Sequence, residues 1–121
     1  MISSKLLFLC CFCTIIDSFF CDDPPRIVPM PSSFKTKPGK PFKLICNAFE
    51  GTEPIHYLWF KDGHSLTNGK SSSLLTFNEI SFLDVGNYSC KAENAFGSDQ
   101  QSTWIEVQGK FCDNFYFFLI L

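Results

Sequence analysis

The 121-residue chain lacks a surplus of basic residues, a long apolar run and a recognisable catalytic motif. Ten Lys and Arg stand against twelve Asp and Glu, giving a net charge of −2, whereas nucleic-acid binding is typical of strongly basic chains. Ser, Asp and His occur without a Gly-x-Ser-x-Gly elbow, a His-Glu-x-x-His pair or a phosphate-binding loop. We therefore expect no nucleic-acid partner, no enzymatic activity and no cofactor.

Clustered metal ligands are also lacking. Zinc in a structural site needs four ligands at close spacing. The chain has two histidines, His56 and His64, and neither forms such a cluster with the seven cysteines. We expect no metal site, and both histidines are expected to occupy ordinary strand and turn positions.

The N-terminal apolar run is too short to cross a bilayer. Residues 1–18 have the pattern of a secretory signal peptide, with Lys5 in a positive n-region and an apolar stretch over residues 6–16. A buried core helix is the alternative, but the run lies at the extreme N-terminus and a polar, proline-rich break follows it. Residues 19–24 are then a linker, and the predicted compartment is oxidising.

The tail at residues 109–121 is apolar but ends in a run of only seven apolar residues. A spanning helix needs about 20 residues, and a lipid-anchor signal needs a longer tail behind a polar spacer. We therefore expect membrane attachment only through parts of a longer chain.

Alternating apolar residues predict the strands of one folded domain at residues 25–108. One strand turns Leu44 and Cys46 to the same face, a second carries Trp59, and a third alternates Tyr88 with Cys90. The two cysteines can meet where stacked sheets face each other. Two inert core thiols are the alternative.

These residues follow the spacing Cys…Trp…Asp-x-Gly-x-Tyr-x-Cys, formed by Cys46, Trp59, Asp84, Gly86, Tyr88 and Cys90. The spacing resembles an immunoglobulin-like domain of the I-set type. The resemblance implies an all-β fold, a two-sheet antiparallel immunoglobulin-like sandwich with one inter-sheet disulfide between Cys46 and Cys90. It also implies that Trp59 packs beside the bridge and that the Tyr88 hydroxyl bonds back to the turn backbone.

Proline and turn residues divide the rest of the domain. Residues 26–28 predict a first strand, which Pro29 and Pro31 interrupt as in a kinked edge strand. The closing strand is predicted at residues 103–107, after a hairpin loop at residues 94–99. In similar I-set domains the Trp59 strand, the Cys90 strand and the closing strand share one sheet.

If Trp59, Cys90 and Ile105 point inward, the residues that alternate with them point outward. One sheet then presents apolar side chains around a charged centre, which together form an apolar patch with a polar rim. The candidate binding face consists of His56, Leu58, Phe60, Lys91, Trp104 and Glu106. The alternative to a bound partner is that a neighbouring domain or a sugar covers this patch.

Asn87-Tyr88-Ser89 is the only Asn-x-Ser/Thr sequon in the chain. Inward Tyr88 turns Asn87 outward, which predicts a glycosylation site. An unused sequon is the alternative.

The resemblance to adhesion and receptor proteins extends to the Pro-Pro-x-Ile opening and to residues 91–95. It implies an extracellular protein–protein recognition module, secreted or on the outer side of the cell surface, that binds a protein ligand or another copy of itself. The alternatives are a structural spacer of a tandem immunoglobulin array and an accessory domain of a larger extracellular enzyme.

Overall fold

The computed structural model describes residues 22–66 and 70–109. These residues form nine β-strands and one 3-10 turn, Phe82–Asp84. The strands are β1 Arg26–Ile27, β2 Ser33–Thr36, β3 Phe42–Ile45, β4 Ala48–Glu50, β5 His56–Lys61, β6 His64–Ser65, β7 Leu74–Phe77, β8 Gly86–Asn94 and β9 Gly97–Val107. Within these residues, no helical segment has the length and hydrophobicity needed to cross a membrane.

The predicted signal peptide, residues 19–21 of the predicted linker, residues 67–69 and the tail beyond residue 109 lie outside the described residues.

The strands build two layers. Strands β2, β9, β8, β5 and β6 form a five-stranded sheet in that order, while β1–β4 and β3–β7 form the opposite layer. Each of these two pairs is extended by one backbone bond of 2.8 Å: Val28 N–H donates to Asn47 next to β1–β4, and Cys46 N–H donates to Ser73 next to β3–β7. The predicted two-sheet sandwich is confirmed, as is the common sheet for the strands of Trp59, Cys90 and Ile105.

The N-terminal edge of the domain is divided into two strands, β1 and β2, which belong to different layers. Strand β1 pairs antiparallel with β4, whereas β2 pairs parallel with β9. Pro29 and Pro31 lie between β1 and β2, and proline cannot donate to a strand ladder. The ladder therefore ends there, and the chain crosses to the other sheet. The described sandwich is antiparallel apart from this pair.

The closing strand begins earlier than expected. Strand β9 starts at Gly97, and Asn94 pairs directly with it, so the loop is two residues long. The predicted start at residue 103 and the predicted loop at residues 94–99 are wrong. The side-chain oxygen of Asn94 accepts hydrogen bonds from the N–H groups of Phe96 (2.9 Å) and Gly97 (3.1 Å) and so holds the tight turn.

The core lies between the layers. Its fully buried large side chains include Trp59, Tyr88, Leu44, Ile80 and Ile105. A chain of aromatic contacts extends the core towards β2: Tyr88 to Phe77 at 5.6 Å, Phe77 to Phe42 at 6.2 Å, and Phe42 to Phe34 at 5.6 Å between ring centroids. Edge-on ring pairs of this kind stabilise beyond their buried area.

Candidate functional site

A disulfide joins the two layers at the centre of the core. Cys46 and Cys90 are bonded, with their Cα atoms 6.3 Å apart, and both are fully buried. Trp59 on β5 lies directly across from Cys90 on β8 and is itself fully buried. Its indole N–H donates to the carbonyl of Ser72 at 3.0 Å, which satisfies the one polar atom of a buried indole. The expected inter-sheet disulfide is confirmed.

The turn before β8 is held by a tyrosine. The Tyr88 hydroxyl donates to the backbone carbonyl of Asp84 at 2.7 Å. The Asp84 carboxylate accepts from the N–H of Ser81 at 2.7 Å, which closes the 3-10 turn on itself. Burial raises the pKa of Tyr88 to about 12, and the negative charges of Asp84 and Asp62 add to the rise. The tyrosine therefore stays neutral and remains a donor across the physiological range.

Gly86 leaves room for the Asp62 carboxylate where the β5–β6 turn meets β8. Asp62 and Gly63 form this turn with φ of 48° and 83°, the left-handed conformation that Asp-Gly tolerates. The Asp62 carboxylate accepts the N–H of Asn87 at 2.9 Å. A Cβ on Gly86 would lie 2.9 Å from an Asp62 carboxylate oxygen, so a larger residue would displace this contact.

The front face is the outer side of the five-stranded sheet, and all six candidate binding residues lie on it. The strand register separates them into two groups. The β5 end contains His56, Leu58, Phe60 and Lys91. The β9 end contains Trp104 and Glu106. Ser89 lies between the two groups, where its short side chain is only 7% exposed.

The β5 end combines apolar and charged side chains. Leu58 lies across from Lys91, and Phe60 lies across from Ser89. Both apolar side chains are half-buried. The Lys91 ammonium is 3.2 Å from the Glu93 carboxylate on the same strand. A charged pair thus borders the apolar contacts directly.

At the β9 end, Trp104 is 44% exposed. Asn87 lies directly across from it on β8 and is exposed. The predicted sequon therefore belongs to this end of the front face.

Sequence reasoning missed a second apolar surface. The back face is the outer side of the other layer, defined by Val28, Ile45, Phe49 and Leu74, which are 45–58% exposed. Ile45 and Leu74 lie directly across from each other on β3 and β7. The sequence does indicate this back face, because the alternation that buries Leu44 and Cys46 turns Ile45 outward.

The fold and these residues match known proteins. A family model described as "Immunoglobulin domain" matches residues 24–94. The chain belongs to the immunoglobulin domain family. The match includes both cysteines, Trp59 and the turn residues Asp84 and Gly86, which have the structural roles described above.

The relatives of this immunoglobulin domain are larger proteins. It is 35% identical over 89 residues to human pro-neuregulin-2, membrane-bound isoform, covering 65% of this chain and 10% of that protein. It is 37% identical over 82 residues to mouse junctional adhesion molecule B, covering 56% and 27%. Among solved structures, titin I-band fragment I67-I69 is similar with a TM-score of 0.62 at 29% identity, covering 71% and 33%. The chain thus spans a minor part of each.

Proposed function

We propose that this immunoglobulin domain is an extracellular recognition module that binds a protein partner, or another copy of itself, through the β5 end of the front face. The observation that carries the proposal is the position of Leu58 and Phe60 beside the Lys91–Glu93 ion pair. An apolar centre with a charged border is the composition of protein-binding surfaces.

The relatives support this class of function. One is a membrane-bound isoform by name and another an adhesion molecule by name, which favours an extracellular location for this domain and a role in adhesion or receptor contact. The disulfide agrees with an oxidising compartment. The side chains of the front face offer contact surface and no group positioned for catalysis, so we propose binding without chemistry.

A spacer role is the second candidate, and one observation favours it. The domain resembles one part of a multi-domain titin fragment and covers 33% of it. A spacer sets the distance between other domains and makes no specific contact through either face.

Paired variants on the two faces distinguish these candidates. Beads coated with the full chain are tested for aggregation with one another and for binding to cells with and without protease treatment. We expect Phe60→Ser and Leu58→Ser to weaken one of these contacts by at least about 30-fold, since a binding anchor is worth about 2 kcal/mol or more.

The matched controls are Ile45→Ser and Phe49→Ser on the back face, which exposes at least as much apolar surface. We expect them to leave binding unchanged. Loss of binding only in the back-face variants would move the contact to that side. Binding that resists all four substitutions would contradict recognition through the front face. A parent chain that neither aggregates the beads nor binds cells would favour the spacer.

A further inference from the structure

Asn87 carries a side-chain amide that the fold does not use. Among the described residues, no hydrogen bond joins this amide to another group, although the Asn87 backbone is held by Asp62. Asn94 at the other end of the same strand differs, because its amide donates to the carbonyls of Asp23 (2.7 Å) and Thr52 (3.0 Å). The one asparagine in a sequon is therefore exposed and has its amide nitrogen available.

The backbone bonds define how close Asn87 and Trp104 come. The Trp104 N–H donates to Ser32 on the β2 side, while Asn87 exchanges bonds with Asp62 on the β5 side. The backbone groups of the two residues thus point away from each other. Such a pair is the non-hydrogen-bonded type, in which the Cα atoms are about 4.5 Å apart and the side chains are closest. Asn87 and Trp104 are therefore immediate neighbours on the front face.

The two tryptophans of the chain have opposite surroundings. Trp59 is fully buried and its N–H is bonded to Ser72. Trp104 is 44% exposed, and within the described residues it has no hydrogen bond from its indole N–H and no stacked ring. Its partner across β2 is the short Ser33. A flat aromatic surface thus stands open beside the sequon.

We propose that an N-linked glycan on Asn87 packs its first N-acetylhexosamine against the Trp104 ring and covers the β9 end of the front face. The C–H groups on one side of a pyranose form an apolar surface that matches an aromatic ring, while its hydroxyl and acetamido groups remain at the polar edge. This inference rests on the extracellular location in the proposed function, since only a chain in the secretory pathway meets the glycosylation machinery.

The attachment is a glycosyl transfer without oxidation or reduction. Asn87 Nδ2 attacks C1 of an oligosaccharide carried on a lipid diphosphate. The C1–N bond forms as the C1–O bond to the diphosphate breaks, the lipid diphosphate leaves, and one amide proton is lost. Ser89 supplies the third position of the sequon. It is buried in the folded domain, so the transfer takes place before the strand folds.

Acrylamide quenching of tryptophan fluorescence tests the packing, because the quencher reaches Trp104 and not the buried Trp59. The full chain is produced in secretory eukaryotic cells, and an endoglycosidase trims the glycan to its first sugar. We expect the quenching constant of this form to be about half that of sugar-free Asn87→Gln, since one of two ring faces is covered. Equal constants in the two forms, or an unmodified mass at Asn87, would overturn the proposal.

Thermal unfolding supplies a second readout with a matched control. We expect Asn87→Gln to lower the melting temperature by roughly 2–6 °C when the ring is present, in the parent and in Trp104→Phe. In Trp104→Ala the same substitution should have no effect. An equal shift in all three backgrounds would refute packing on the ring. If Asn87 carries the sugar but acrylamide quenches Trp104 equally in both forms, this inference alone is refuted. If Phe60→Ser leaves binding unchanged, only the proposed function is refuted.

Discussion

The inward and outward rows of β8 share one backbone and have opposite roles. Tyr88, Cys90 and Ala92 point inward and are at most 1% exposed. Asn87 and Lys91 alternate with them and point to solvent. Each polar atom of the inward row has a fixed partner within the domain, whereas the outward row has groups left over for other molecules. On this strand, residues that stabilise the fold therefore alternate with residues that are available for recognition.

The separation predicts which substitutions change stability and which change binding. Inward substitutions should lower or raise the melting temperature and leave the front face intact. Outward substitutions at the β5 end of the front face should weaken binding and leave the melting temperature nearly unchanged.

The largest effect is expected from the disulfide. The bridged residues are separated by 44 positions, and closing a loop of this size stabilises the fold by about 4 kcal/mol in the chain-entropy model. The double variant Cys46→Ala/Cys90→Ala should lose that much in urea unfolding. The measurement is the free energy of unfolding in water, calculated from both the midpoint and the slope of the transition, because the unbridged chain unfolds to a more expanded state. A midpoint equal to that of the parent would show that the inward row does not carry the stability assigned to it.

Alkaline pH should act through Tyr88. Burial raises its pKa to about 12 in the folded domain from the ordinary value of 10.0. Below pH 10 the hydroxyl is neutral in both states, and its contribution is fully present. Between pH 10 and 12 the unfolded chain ionises first, so stability falls by up to roughly 2–3 kcal/mol.

Tyr88→Phe isolates this contribution from the other groups that titrate at alkaline pH. The variant should be less stable at pH 7 by about 1 kcal/mol, because it loses the hydrogen bond to Asp84. The difference between the parent and the variant should then shrink above pH 10 and reverse its sign near pH 12, because the parent loses more stability than the hydrogen bond supplies. A difference that stays constant over this range would contradict the raised pKa.

The parts that sequence reasoning predicted correctly were those in which burial leaves a period-two pattern. Cys46, Trp59 and Tyr88 could be assigned inward because apolar residues alternate around them and a turn signal follows each strand. The same alternation places Trp104 and Lys91 outward. It does not divide the front face into two groups, because that division depends on the register between β5, β8 and β9.

Other features leave no such pattern. The first half of β9 is polar throughout residues 98–102, so the strand could not be recognised from hydrophobicity. Its position is determined instead by pairing with residues 89–93 of β8. The crossing of the chain at Pro29 and Pro31 also depends on contacts distant in sequence, since β2 finds its partner in β9.

On β9, the inward residue Thr103 has a polar atom that lacks a partner in the described structure. Its hydroxyl is buried and has no hydrogen-bond partner in the described structure. Thr103→Val keeps the shape and removes the unpaired polar atom, so we expect a stabilisation of about 1 kcal/mol. Calorimetry should find the melting temperature raised by roughly 4–8 °C. Ser102→Ala, on the exposed side of the same strand, is the control and should have no effect. A destabilised Thr103→Val would mean that the hydroxyl is paired.

The smallest effect is expected from the outward ion pair. Lys91 and Glu93 are 3.2 Å apart, with side chains 36% and 40% exposed. Solvent screens such pairs, and their coupling is typically about 0.2–1 kcal/mol. In a double-mutant cycle, the free energies of unfolding of Lys91→Ala and Glu93→Ala should therefore depart from additivity by no more than about 1 kcal/mol. The same two substitutions should weaken bead aggregation or cell binding, because the pair borders Leu58 and Phe60. A strong loss of stability with intact binding would place the pair with the inward row and break the division between the two sides of β8.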